Sequence, residues 1–221
     1  LIRPLSSVLL VEGTSDDHFL SGLVGRVLRD IGLSAQGADF DVAEPVCLVR
    51  CGERPFTSFA RQVSDMRPLP SLVFLHFDTA GSLERESDHA FVPMTRAWAS
   101  HDLPEKTIRL LPLAPVREME SWALADLDEV NRFAGRDVRR SKVFERELIN
   151  EVERLSDPKK TLDDALRSGS GRRGRRQRMA AEDFFPVLAE RIRLDQLGRV
   201  PSFARWRADT VAALHELGFL R

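Results

Sequence analysis

Glu12 and Asp78 each close a short apolar run, Ser7-Val8-Leu9-Leu10-Val11-Glu12 and Ser71-Leu72-Val73-Phe74-Leu75-His76-Phe77-Asp78. Runs of this kind read as strands buried on both faces. In an open parallel sheet, ligands bind beyond the carboxyl ends of the strands. If these two strands are neighbours, both carboxylates converge beside the turn at Gly13. Convergent carboxylates suit a hard cation with oxygen ligands, Mg²⁺ or Mn²⁺. Such a cation neutralises phosphate oxygens and activates water, which is the chemistry of phosphoryl transfer. The plainer alternative is that both acids only solvate the loops after their strands.

A basic counterpart lies far along the chain. The low-complexity stretch 168–178 carries Arg172, Arg173, Arg175, Arg176 and Arg178, and no acid occurs from Ala165 to Ala181. Gly and Ser supply flexibility, and the guanidinium fork suits phosphate. A charge block this one-sided repels itself without a counter-ion, so the stretch is expected to bind a nucleic-acid backbone. A solvated surface loop is the alternative. Gly169 and Gly174 have Walker A spacing, but Arg175 replaces its Lys, no Ser or Thr follows and no strand precedes, so an ATP-binding loop is excluded. The formal net charge of -1 conceals an asymmetry: residues 1–130 hold 12 basic and 20 acidic side chains, and residues 131–221 hold 21 and 14. Asymmetry of this kind points to an anionic partner.

These residues need a frame. Strands are expected at 7–12, 46–50, 71–78 and 108–113. Helices are expected between them: one opening at Asp16-Asp17 with Phe19, Leu20, Leu23, Val24, Val27, Leu28 and Ile31 at 3/4 spacing, then 57–66 and 93–100. Alternating strands and helices argue a parallel α/β sheet of about four strands. Beyond residue 116 the pattern turns helical, at 119–125, 141–155, 161–167, 180–194 and 202–217. The expected layout is an acidic α/β domain at 1–125 and a basic helical region at 126–221. The 43% hydrophobic content is enough for a core. No apolar run approaches the roughly 20 residues of a membrane span. No signal-peptide pattern opens the chain, and two cysteines do not make a disulfide framework, so a cytoplasmic protein without a membrane partner is expected.

Other residues carry weaker signals. Asp16 and Asp17 are explained by helix capping, with Asp17 the better outside candidate for a metal. Cys47 and Cys51 lack the further ligands of a zinc site and read as ordinary buried residues. His76 shares the face of Asp78 and reads as a satisfied core histidine more readily than as a group that orients water or phosphate. Asp78-Thr79-Ala80-Gly81 departs from an aspartic-protease motif by its alanine. Trp98, Trp122 and Trp206 fall on apolar helical faces and read as core.

Val11-Glu12-Gly13 after a first strand, followed by a helix and a later strand ending His76-Phe77-Asp78, resembles the TOPRIM domain of topoisomerases, primases and overcoming-lysogenization-defect nucleases. That resemblance implies a TOPRIM/Rossmann-like sheet with a C-terminal helical extension. It also implies a first-strand Glu acting as metal ligand or general acid/base, and an Asp-x-Asp that binds Mg²⁺. Here the second Asp is replaced by Ala80. Most of the chain further resembles a family of uncharacterised prokaryotic TOPRIM-like proteins, often found near ATPases and defence genes. The residues concerned are Glu118-Met119-Glu120-Ser121-Trp122, Pro158-Lys159-Lys160 and Pro201-Ser202-Phe203, in that order. The resemblance implies a Mg²⁺- or Mn²⁺-dependent nuclease with Lys159 or Lys160 reaching the scissile phosphate, nucleic acid as partner and an ATPase as a further one; solvated charges at a helix start are the equal alternative for the two lysines. Glu118 and Glu120 follow the fourth strand and so fall near Glu12 and Asp78. They lie about 200° apart around a helix, so one of them is the better ligand. Glu120 is preferred, since Glu118 follows Arg117 and is expected to face solvent. Together these give Glu12 as general acid/base or metal ligand, Asp78 and Glu120 as metal ligands with Glu118 near, and Lys159 opposing developing charge. Two other functions fit the same residues: a degenerate, non-catalytic subunit that binds nucleic acid or an ATPase, and hydrolysis of a small nucleotide.

Overall fold

A computed structural model describes residues 2–35, 40–52, 55–101, 103–104, 107–134, 151–167 and 181–221. Among the described residues, six strands come in two groups. Strands β2 (Ser7–Val11), β4 (Val46–Val49), β5 (Leu72–His76) and β6 (Arg109–Leu113) form one sheet in the order β4-β2-β5-β6. Every pairing in it is parallel. Strands β1 (Arg3–Leu5) and β3 (Phe40–Val42) add a small parallel pair that the sequence pattern does not announce.

The two central strands show why their sequences are continuously apolar. In β2, Leu9 and Val11 enter one core while Val8 and Leu10 enter the other. In β5, Leu72 and Phe74 go one way, and Val73 and Leu75 the other. Successive side chains alternate faces, so a strand covered on both sides must be apolar throughout. Helix α1 (Thr14–Ser34) covers the first face. Helices α2 (Pro55–Asp65) and α4 (Phe91–Ser100) cover the second, and the short α3 (Leu83–His89) leads into α4.

The first core continues without a break into the helical half. Helices α5 (Glu120–Ala123), α6 (Leu127–Ala134), α7 (Pro158–Arg167), α8 (Ala181–Arg191), α9 (Leu194–Leu197) and α10 (Pro201–Glu216) follow β6. Gly22 of α1 lets α8 approach so closely that a Cβ there would stand 3.1 Å from the Ala189 Cβ. Arg26 of α1 donates to the Ala189 and Ile192 carbonyls at the end of α8, at 2.6 and 2.9 Å. Trp206 packs edge-on to Phe74 with ring centroids 5.5 Å apart, and Trp122 meets Phe203 at 5.2 Å. The Trp122 Nε1–H donates to Ser202 Oγ at 2.8 Å. All three tryptophans are core residues, as their apolar spacing implied.

The four expected strands and their intervening helices are present. Of the expected helix 141–155, only 151–155 is described, and there the chain forms a single 3-10 turn, Val152–Arg154. The helix expected at 161–167 begins earlier, at Pro158, with Asp157 Oδ1 accepting the Lys160 N–H at 2.8 Å. The arginine stretch 168–178 lies outside the described residues. Among the described residues, no helix is long and apolar enough to cross a membrane.

Candidate functional site

Strands β2 and β5 are adjacent and parallel, so their carboxyl ends open side by side. The sheet order also reverses between them: the chain passes from β2 outward to β4, then crosses back over β2 to β5. This is the topological switch point, where doubly wound sheets leave a crevice. Glu12 leaves β2 there, and Asp78 lies two residues beyond β5.

Buried beneath them is His76, only 2% exposed. Its Nδ1 lies 3.1 Å from the Leu113 carbonyl. A carbonyl only accepts, so Nδ1 carries a proton and donates it. Nε2 then faces Asp16 Oδ1 at 3.6 Å and Asp78 Oδ1 at 3.7 Å, with no hydrogen-bond partner in reach. A bare lone pair between two carboxylates is unfavourable, so the geometry favours a proton on Nε2 and a cationic ring. Burial works to lower the His76 pKa, but Asp16, Asp78 and the Leu113 carbonyl outweigh it and the pKa is raised. His76 is therefore not the satisfied core histidine that its apolar strand implied.

Asp16 enters the site from α1. Its Oδ2 accepts the Gly13 N–H at 2.9 Å, which fixes the first turn. Burial pushes its carboxyl up, but His76 and the neighbouring N–H groups prevail and the pKa is lowered. Sequence reasoning preferred Asp17 as the outside candidate, and here the structure corrects it: Asp17 faces Cys47, whose thiol is pushed up by burial and then by Asp17. The available signal was the four-residue step from Glu12 to Asp16, one helical turn. The cysteines differ from expectation too: Cys47 is half-buried and Cys51 exposed, because β4 is an edge strand.

Asp78 is pushed up to about 7, first by burial and then by the negative charges of Asp16, Glu120 and Glu12, with His76 opposing. Its Oδ1 is buried without a hydrogen-bond partner. Glu120, in the first turn of α5, is buried and raised, by desolvation first and then by Glu118 and Asp16, with Lys159 opposing. Acids from three separate loops thus share one electrostatic neighbourhood. Glu118 is half-buried rather than solvent-facing: its Oε2 accepts the Lys159 backbone N–H at 3.1 Å. Lys159 itself is exposed in the first turn of α7, at the rim. Glu12 forms an ion pair with Arg50, which follows β4.

The loops after β5 and β6 are clasped together. Thr79 Oγ1 accepts the Arg117 N–H at 3.0 Å, and the Ala80 N–H donates to the Arg117 carbonyl at 3.3 Å. Ala80 and Arg117 have φ of 46° and 69°, a region that costs non-glycine residues about 1–3 kcal/mol. Strain of this kind persists where surrounding contacts over-determine the backbone, and it gathers at functional sites. The clasp carries Asp78 on one loop and Glu118-Met119-Glu120 on the other.

The donor set is all carboxylate oxygen, and Asp78 Oδ1 lacks a partner, which suits Mg²⁺ or Mn²⁺ in charge and chemistry. Among the described residues, no three His, Cys, Asp or Glu side chains already stand close enough to hold a metal ion. The fold and site define an α/β protein with acids gathered at the switch point of a parallel sheet. Comparison with family models, curated proteins and solved structures finds no match.

Proposed function

We propose that this chain is a TOPRIM-like, metal-dependent phosphodiesterase acting on nucleic acid. The observation that supports it best is Asp78 beyond the carboxyl end of β5, with its Oδ1 buried and unpartnered and its carboxyl pushed up by burial and then by the charges of Asp16, Glu120 and Glu12. Glu12, Asp78 and Glu120 would hold Mg²⁺ or Mn²⁺, and Glu118 would serve mainly to tie α7 to the site. A bound divalent cation supplies neutralisation of phosphate oxygens and an activated water.

The chain's own groups supply the rest. His76 stands between Asp16 and Asp78 and would offset part of their charge. Lys159 at the rim opposes the charge that develops on phosphate. Arg172, Arg173, Arg175, Arg176 and Arg178 would bind the backbone beyond the site.

The test is cleavage of DNA and RNA, single- and double-stranded, in Mg²⁺ or Mn²⁺. Glu12→Gln and Asp78→Asn are each expected to lower the rate by on the order of 10² or more. Cation-dependent cleavage that survives both substitutions would rule out this site. A second reading is favoured by Ala80 and by the lack of a ready-made cage among the described residues. In it the chain is a non-catalytic subunit that binds nucleic acid or an ATPase. Titration with Mn²⁺ separates the two, since only the catalytic reading requires binding through these carboxylates.

A further inference from the structure

One cation of the site has no role in the proposal above. Arg50 stands one residue beyond β4, and its N–H donates to the Val11 carbonyl at 2.8 Å, which sets it beside Glu12. Its guanidinium pairs with the Glu12 carboxylate. The same group lies over the Phe56 ring, 4.8 Å from the centroid. Phe56 belongs to the first turn of α2 and packs against the core under the sheet, so the aromatic platform is fixed.

Three features distinguish this pair from a structural ion pair. Both side chains are partly open, 31% exposed for Arg50 and 41% for Glu12, so a ligand can reach them. Ion pairs this exposed contribute little to stability, and exchanging the partner costs little. The ring holds one face of the guanidinium plane, which leaves its edge of N–H donors free to turn from one anion to another while the stack persists.

We infer that Arg50 is a displaceable counter-ion: it holds Glu12 while no divalent cation is bound, and turns to a phosphate oxygen of the substrate once Glu12 takes one up. This rests on the phosphodiesterase reading. It adds a substrate-binding residue and an order of events: Arg50 would leave Glu12 when a cation is bound there and would then recruit the phosphodiester. A divalent cation and a positive guanidinium cannot both sit on one partly exposed carboxylate without repulsion, whereas a phosphate between them is attracted to both.

The test uses the full chain and two probes, free Mn²⁺ followed by electron paramagnetic resonance and a fluorescent oligonucleotide titrated in Ca²⁺. Arg50→Ala is expected to tighten Mn²⁺ binding by about three- to tenfold and to weaken oligonucleotide binding by about tenfold. Arg50→Lys keeps the charge but loses the fork and most of the stack. It should leave Mn²⁺ affinity near that of the unsubstituted chain and still weaken the oligonucleotide. Phe56→Leu should do the same. The opposite signs for the two probes are the signature, because general loosening of the fold would weaken both. If the unsubstituted chain binds Mn²⁺ and Arg50→Ala binds it equally or more weakly, the Arg50 inference is overturned and the phosphodiesterase reading stands. If the unsubstituted chain binds no Mn²⁺, both are overturned.

Discussion

Asp126 and Asp78 are both acids drawn into the protein, and the fold treats them in opposite ways. Asp126 is 0% exposed, and both its oxygens are engaged. Oδ2 accepts the Arg193 N–H and Nε–H at 3.0 and 2.9 Å, and Oδ1 accepts an Arg193 NH2 donor at 2.7 Å. Oδ1 also takes the Glu129 N–H at 3.4 Å at the start of α6. Asp128 adds a second carboxylate to Arg193, whose pKa is raised by these partners. Asp78 has other acids for neighbours, one oxygen with no partner, and a pKa near 7. Buried acids are tolerated when paired, and an unpaired one persists where something other than stability keeps it. The first is a joint of the helical half. The second is the centre of the candidate site.

The contrast breaks most directly at Asp126. Asp126→Ala is expected to cost about 2–4 kcal/mol, because it strips Arg193 and two backbone N–H groups of their acceptor at once. Urea denaturation measures this, and a loss under 1 kcal/mol would erase the distinction from the structural side. The clasp at Thr79 is intermediate: it is satisfied like Asp126 yet belongs to the site. Thr79→Val leaves the Arg117 N–H without its acceptor and should cost about 1–2 kcal/mol. If the clasp serves the site, Mn²⁺ affinity falls as well. A change in stability alone would class it with Asp126.

The smallest expected effect has the opposite sign. Asp78 has a folded pKa of about 7 against an ordinary 3.8, so the folded chain holds this proton more tightly than the unfolded one. Stability therefore declines as pH rises from about 4 to about 7 and levels off above that. Asp78→Asn removes this cost. It should stabilise the chain at pH 8 by about 1 kcal/mol, a modest figure because 37% of the side chain meets solvent and screens the charge. At pH 3.5 it should change little. Destabilisation at pH 8 would mean that Asp78 is a structural acid after all.

Glu12 and Asp78 were legible as candidates because each closes a strong apolar run, and runs of that kind place their ends on one edge of a sheet, whereas Glu120 entered through resemblance. Lys159 was legible only through resemblance. Its helix starts at Pro158 and points Lys159 to the rim, which no local periodicity records. Asp16 was passed over in favour of Asp17 because capping explained both equally well. Which of them turns toward His76 depends on the rotation of α1 against β5, a contact between segments about 60 residues apart. Arg50 was missed because it stands alone at a strand end, and its value comes from Glu12 and Phe56 on either side.

The sequence by itself determined the four strands of the main sheet and the acids at the ends of two of them, since burial on two faces demands continuous apolar runs and polar residues return where the strands stop. It also determined that the described part of the second half would be helical. Only the tertiary structure decided that β2 and β5 are neighbours, that His76 lies between two carboxylates and that one Asp78 oxygen is left without a hydrogen bond while both oxygens of Asp126 are engaged. The physical reason is that hydrophobic patterning is local and repeats along the chain. The pairing of charges depends on which distant segments the packed core brings within a few ångströms of each other.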